Sequence, residues 1–247
     1  MDTPLPKNQR RLPVVLAWAV HVLTASGAVL ALFALLQVEQ RHWKSALLWL
    51  GAALVLDGID GPLARLVGVV QRSPRISGAT LDLVVDYLTY VFVPAVLIYR
   101  AGLIPTSFAL AAVAVILVSS LYTFARTDMK TSDNFFLGFP ALWNIVAYYL
   151  IVLQPGQLAS AAIIGVFALL TFAPIHFVHP LRVREHQPWL GGLAIMWGVS
   201  SPALLTPSLS PLWGDVLLVL SLAGASVLLV VGALRTLFGP QTGRLPD

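Results

Sequence analysis

The chain contains no cysteine among its 247 residues, and only 11% of its residues are charged. Without cysteine there is no disulfide, no thiolate metal site and no cysteine nucleophile. The scarcity of charge, beside 58% hydrophobic residues and a mean hydropathy of +0.85, excludes an ordinary soluble domain, which could not hide so much apolar surface. No nucleotide P-loop, dinucleotide fingerprint, Ser-His-Asp arrangement, long linker or low-complexity tract is present. A net charge of +4 and a pI near 9.7 would suit nucleic acid. The basic residues are instead scattered through short loops, so they read as topology signals and no nucleic-acid partner is expected.

What is there is a series of apolar segments, roughly 13–37, 43–70, 77–99, 105–125, 137–153, 158–179, 189–205 and 212–238. The first is about twice as long as the apolar core of a signal peptide and leads straight into another segment, so it reads as a retained helix. The expected architecture is an all-α integral membrane protein, a polytopic bundle of about eight transmembrane helices forming one domain over 1–247. With the N-terminus inside, the cytoplasmic side carries Lys7, Arg10, Arg11, Arg65, Arg72, Arg75, Arg126, Lys130, Arg182, Arg184, Arg235 and Arg244. Only Arg41, Lys44 and Arg100 of the 15 Lys and Arg fall on the other side. The positive-inside rule therefore places both termini in the cytoplasm.

Acidic residues are also few, 11 in all, yet four of them stand inside apolar segments: Asp57, Asp60, Asp82 and Asp86. The other seven are expected in loops or at termini. A carboxylate at membrane depth is costly, so four together mark a functional site. At about 100° per residue, Asp57, Asp60, Gly61 and Ala64 share one helix face. Gly78, Asp82 and Asp86, spaced by four, share a stripe on the next helix. Facing each other, the two helices would gather four anions that require compensation. Oxygen-only ligation favours Mg2+ or Mn2+, and two ions about 3.5–4 Å apart are usual in phosphoryl chemistry. Asp57 lies roughly 20 Å along its helix from Trp43, and Asp82 and Asp86 roughly 8 and 14 Å into theirs, which puts the site in the cytoplasmic half of a ~30 Å core. Glycines allow a bulky ligand near the backbone, and Arg65 offers a fork for phosphate oxygens.

The stretch D-G-I-D-G-P-L-A-R, twelve residues, then G-A-T-L-D-L-V-V-D resembles the signature of the CDP-alcohol phosphotransferases, D-x-x-D-G-x-x-A-R followed by G-x-x-x-D-x-x-x-D. All eight fixed positions are met, by Asp57, Asp60, Gly61, Ala64, Arg65, Gly78, Asp82 and Asp86. The departure is the gap from Leu66 to Ser77, longer than in many members. That gap, the run Leu81–Ala95 and the block Met129–Asn144 resemble the bacterial branch that joins free choline to CDP-diacylglycerol. The resemblance implies a homodimeric enzyme of the bacterial inner membrane that releases CMP. It implies metal ligation by Asp57, Asp60, Asp82 and Asp86, with Asp86 as general base. Asp57, Gly61, Ala64, Arg65, Gly78 and Asp82 are implied to bind the nucleotide and its phosphates.

Choline cannot donate a hydrogen bond from its ammonium group, so an aromatic cage is expected, drawn from Tyr87, Tyr90, Tyr122, Trp143, Tyr148 and Tyr149. Competing acceptors are serine, inositol, glycerol 3-phosphate or a phospholipid, with CDP-choline as an alternative donor. An anionic acceptor would want an extra cation beside Asp86, and this helix has none before Arg100. A cation transporter is the reading outside enzymes, but transport requires neither the Ala64–Arg65 pair nor the two glycines. His21 and Thr24, one turn apart, could reach a nucleotide or bond a neighbouring helix. His176 and His179, with His186 beyond, suggest an interfacial helix end rather than a metal site, because Pro180 follows. Arg72, Pro74 and Arg75 in the gap could clamp phosphates or simply mark the inner face.

Overall fold

Length and apolarity decide which segments become helices able to cross a bilayer. The computed structural model describes residues 7–73, 75–180, 183, 189–206 and 210–239, with side chains from residue 14 onward. Pro74, Arg182, Arg184, His186 and Arg244 lie outside the described residues, as do the side chains of Lys7, Arg10 and Arg11. Among the described residues, five helices are long and apolar enough to span a membrane: Val14–Glu39, Trp43–Val67, Gly78–Arg100, Thr106–Ala125 and Pro211–Phe238. Each coincides with an expected segment, and the chain is a membrane protein built of helices.

The chain divides into two compact units, Met1–Ala101 and Gly102–Asp247. In the first, α1 (Lys7–Glu39) packs on α2 (Trp43–Val67), on α4 (Gly78–Asp86) and on α5 (Val93–Arg100), with the short α3 (Val69–Arg72) between. Small buried residues, Ala17, Ala31 and Ala34 on α1 and Ala46 and Ala53 on α2, let the helix axes approach closely, as membrane helices do when water supplies no driving force. Gly27 brings α4 equally near, for a Cβ there would stand 2.5 Å from Val85 Cγ1. α4 begins at a cap, the Ser77 hydroxyl accepting from the Thr80 backbone N–H at 3.2 Å. Between α4 and α5 lies a π-helical stretch, Tyr87–Phe92. Pro94 lacks the N–H that would close an α-helical bond to the Tyr90 carbonyl, and the wider turn absorbs that loss.

The second unit holds α6 (Ala109–Ala125), α7 (Trp143–Leu153), α8 (Gln157–Leu170), α9 (Trp189–Ala203) and α10 (Pro211–Phe238). Here expectation and structure part. The apolar segment 137–153 yields a helix only from Trp143, because Phe136–Leu137 forms a strand, β1, and Pro140 lies between. The segment 158–179 ends its helix at Leu170, and His176–Phe177 forms β2, antiparallel to β1. His176 and His179 are therefore in a strand and the loop after it, not at a helix end; Pro174 ends any helical continuation. α7, α8 and α9 have 11, 14 and 15 residues, short of the ~20 that a straight span requires. Asp215, expected in a loop, stands inside α10, exposed, in its second turn.

The loop before α7 is tightly built. Gly138 adopts φ +78°, and a Cβ on it would lie 2.4 Å from the Thr171 carbonyl oxygen, so no other residue fits. Arg126 grips Asp128 with two nitrogens, at 2.7 and 2.8 Å, and donates to the Leu137 carbonyl at 2.9 Å. Arg235 donates to Asp133 at 2.7 Å, tying the loop to the last turn of α10. The Asp133 carboxyl is held below its usual range: burial raises it, but the bonds from Arg235 and Thr131 outweigh that.

Candidate active site

Two helices of the first unit present the carboxylates, as the spacing requires. α2 supplies Asp57 and Asp60, and α4 supplies Asp82 and Asp86. All four line one cavity, together with Thr24 of α1 and Thr89 of the π stretch. One carboxylate oxygen from each of Asp57, Asp82 and Asp86 lies within 4.8 Å of the others. Three half-buried carboxylates at that separation form an oxygen-only donor set, which fits a hard divalent cation.

Asp60 differs from its neighbours. It is only 5% exposed, and the Thr24 hydroxyl donates to its Oδ2 at 2.7 Å. Of the two roles open to Thr24, the bond to a neighbouring helix is the one seen. Asp57 is also held, by a hydrogen bond of 2.7 Å from the Tyr90 hydroxyl to Oδ2. Tyr90 is 6% exposed and its hydroxyl is committed, so it acts here on a carboxylate. A signal for this was available, because Tyr90 continues the four-residue series Gly78, Asp82, Asp86. Inside α2, Pro62 removes the donor for the Gly58 carbonyl in the very turn that carries Asp57 and Asp60.

The remaining expected residues are placed as follows. Gly61 is half-buried, and Ala64 packs with Leu63 and Val67 against Ala17, Val20 and Val69. Arg65, in the last turn of α2, is exposed, as are Arg72 and Arg75 in the connection to α4. Gly78 opens α4 beside the ring of His21. Tyr87 follows Asp86 and is half-buried. The other four aromatic candidates belong to the second unit. Trp143 is fully buried and its Nε1 donates to Ser120 Oγ at 2.8 Å. The Tyr148 hydroxyl donates to the Ser201 carbonyl, and that of Tyr149 to the Ser221 carbonyl, both at 2.9 Å. Tyr149 also accepts from Trp197 Nε1 at 2.8 Å. Tyr122 is exposed, with Phe172 beside it and the Arg126 guanidinium 5.5 Å from its ring centre.

Paired carboxylate-bearing helices with this spacing define a class, and comparison with known proteins agrees. The chain belongs to the CDP-alcohol phosphatidyltransferase family, whose profile matches residues 14–174, a span that includes all four aspartates. Its similarity to curated proteins is narrower than the family. It is 46% identical over 217 residues to the phosphatidylcholine synthase of Pseudomonas aeruginosa, covering 85% of this chain and 91% of the relative. To the phosphatidylcholine synthase of Rhizobium meliloti it is 40% identical over 240 residues, 96% of this chain and 98% of the relative. The Bradyrhizobium diazoefficiens protein of the same name is 47% identical over 186 residues, 75% and 69% of the two chains.

Proposed function

We propose that this chain transfers the phosphatidyl group of CDP-diacylglycerol to free choline, giving phosphatidylcholine and CMP. The observation that carries the reading is the single cavity joining Asp57, Asp60, Asp82 and Asp86, in a chain whose named relatives match it over most of their length. Asp57, Asp82 and Asp86 would hold Mg2+ or Mn2+, with Asp60 supporting the same wall, and two ions suit the anionic group being transferred. An ion held there would supply positive charge to offset the pyrophosphate and the departing CMP. Asp86 takes the hydroxyl proton as the choline oxygen attacks the phosphorus that carries diacylglycerol. The bond from that phosphorus to the CMP oxygen breaks in the same displacement, so no covalent enzyme intermediate is required. Asp57 and Asp82 orient the nucleotide end together with Gly61, Ala64, Arg65 and Gly78. Tyr87 and Tyr90 follow Asp86 in sequence and are the rings of this unit from which a choline cage would be drawn.

The chain works in the bacterial inner membrane, and family analogy makes it a homodimer. The charge distribution supports eight membrane crossings, with both termini and the mouth of the site in the cytoplasm. α7, α8 and α9 would then cross as short segments beside locally thinned hydrocarbon. The test offers purified protein CDP-diacylglycerol, Mn2+ and, singly, choline, serine, inositol and glycerol 3-phosphate. Phosphatidylcholine as the lipid product, with CMP released, is expected. Consumption of serine or inositol in place of choline overturns the acceptor, and no metal-dependent CMP release overturns the reaction.

A further inference from the structure

Two hydrogen bonds of equal length, 2.7 Å, tie the carboxylates of α2 to other elements, and they hold them in different places. Tyr90 donates to Asp57, which offers a carboxylate oxygen within 4.8 Å of those of Asp82 and Asp86. Thr24 of α1 donates to Asp60, which lines the same cavity but is not one of that trio. Thr24 is 7% exposed and Asp60 5%, so water competes little for their bond. Asp60 stands one turn from Asp57 on the same helix. A fourth carboxylate is thus placed beside a three-carboxylate centre and tied back by the one proton that a threonine hydroxyl can donate.

We propose that Thr24 is a positioning residue that keeps Asp60 out of the three-carboxylate centre, leaving an ion held there open to the diphosphate of the lipid donor. This rests on the reading of Asp57, Asp82 and Asp86 as ligands of Mg2+ or Mn2+. A hard divalent ion has a limited set of oxygen positions, about six for Mg2+. A fourth carboxylate would take one of them and add negative charge where an anionic substrate has to approach. It would also raise the affinity for the ion, because an anionic oxygen attracts a cation more strongly than the water it displaces. Thr24 and the ion therefore compete for Asp60, and the hydroxyl limits metal affinity in favour of the donor lipid. The two hydrogen bonds act in opposite senses: Tyr90 holds a ligand in, and Thr24 holds a carboxylate out.

The test uses the full-length protein in detergent, with free Mn2+ followed by electron paramagnetic resonance, so that affinity is read without turnover. Thr24→Val keeps the shape of the side chain and removes the donor; Thr24→Ser retains a hydroxyl. We expect Thr24→Val to bind Mn2+ about tenfold more tightly, the order of factor carried by a hydrogen bond to a charged group. Thr24→Ser should stay at the wild-type value. The KM for CDP-diacylglycerol should rise in Thr24→Val, while that for choline is unchanged. The gain in Mn2+ affinity should vanish when Thr24→Val is combined with Asp60→Asn, because the carboxylate responsible is gone. A merely loosened site would lose Mn2+ affinity, so unchanged or weaker binding in Thr24→Val overturns the proposal. So does an Asp60→Asn variant that loses as much Mn2+ affinity as Asp82→Asn, a comparison that stands whether or not Thr24→Val folds. A wild-type protein that binds Mn2+ but transfers phosphatidyl to an alcohol other than choline loses the acceptor assignment and keeps this one. A wild type that binds no Mn2+ overturns the metal reading and this proposal with it.

Discussion

Tyr90→Phe is the smallest change that separates holding a metal ligand from holding choline. It removes one oxygen and leaves the ring, so the packing of a residue only 6% exposed is nearly untouched. What is lost is the 2.7 Å hydrogen bond to Asp57 Oδ2. Hydrogen bonds to charged groups contribute about 1.5–3 kcal/mol, and nothing in so buried a position replaces this donor. Converted to affinity at about 1.4 kcal/mol per decade, that range is roughly 10- to 150-fold. It overlaps the 10- to 100-fold that outer-sphere partners of metal ligands usually contribute. The expected outcome is an apparent Mn2+ affinity lowered by roughly that factor, with turnover largely recovered at high Mn2+. Free Mn2+ followed by electron paramagnetic resonance gives the affinity without relying on activity. The choline KM should not change, because a phenyl face still serves a quaternary ammonium; Tyr90→Leu would raise it if the ring also belongs to the cage. Wild-type Mn2+ affinity in Tyr90→Phe would refute the reasoning.

Asp82→Asn should abolish turnover and weaken Mn2+ binding while the protein still extracts as a folded species; near-normal activity at ordinary metal levels counts against the donor set. Reporter fusions at Thr206 and at the C-terminus should fall on opposite sides of the membrane, and finding both on one side would overturn the eight-crossing topology. A fourth prediction concerns acid. Burial pushes the His176 imidazole below its ordinary 6.5, Arg235 adds to this, and Asp133 opposes it. Between 6.5 and that lower value the unfolded chain binds more protons than the folded one, so stability should fall as the pH drops through this window. In His176→Gln the thermal midpoint should depend less on pH there, and identical slopes in melts taken across the window would refute the assignment.

Much of the first unit was legible because membrane depth makes polar residues informative. Asp57, Asp60, Asp82 and Asp86 stand out against apolar sequence, and helical spacing alone puts each pair on a face. The same logic found the five long helices, where hydropathy and length agree. It failed at 137–142 and 171–179, which are apolar but not helical. Hydropathy cannot distinguish an apolar strand packed on its neighbours from the end of a span. The local signs were there, in Pro140 and Pro174 and in Gly138, whose positive φ breaks any helix. Tyr90 was legible as the next residue on the Asp82–Asp86 stripe, though its bond to Asp57 was not. That bond joins α2 to the π stretch, and the extra width of a π turn is not a sequence period.

The roles of the four aspartates divide along the contacts made by α1 and by the π stretch. Asp57 and Asp60 are one turn apart on α2, with the same chemistry and the same local sequence logic. Thr24 and burial draw Asp60 against α1, and Tyr90 fixes Asp57 toward α4, where its carboxylate meets those of Asp82 and Asp86. Asp60 nevertheless lines the same cavity as the other three carboxylates. The elements that supply no carboxylate, α1 and the π stretch, thus set which carboxylates face the shared centre. Thr24 bonds Asp60 on the α1 side, and Gly27 sets how closely α4 can approach. The signature provides the charged groups, and α1 with the π stretch gives them their geometry.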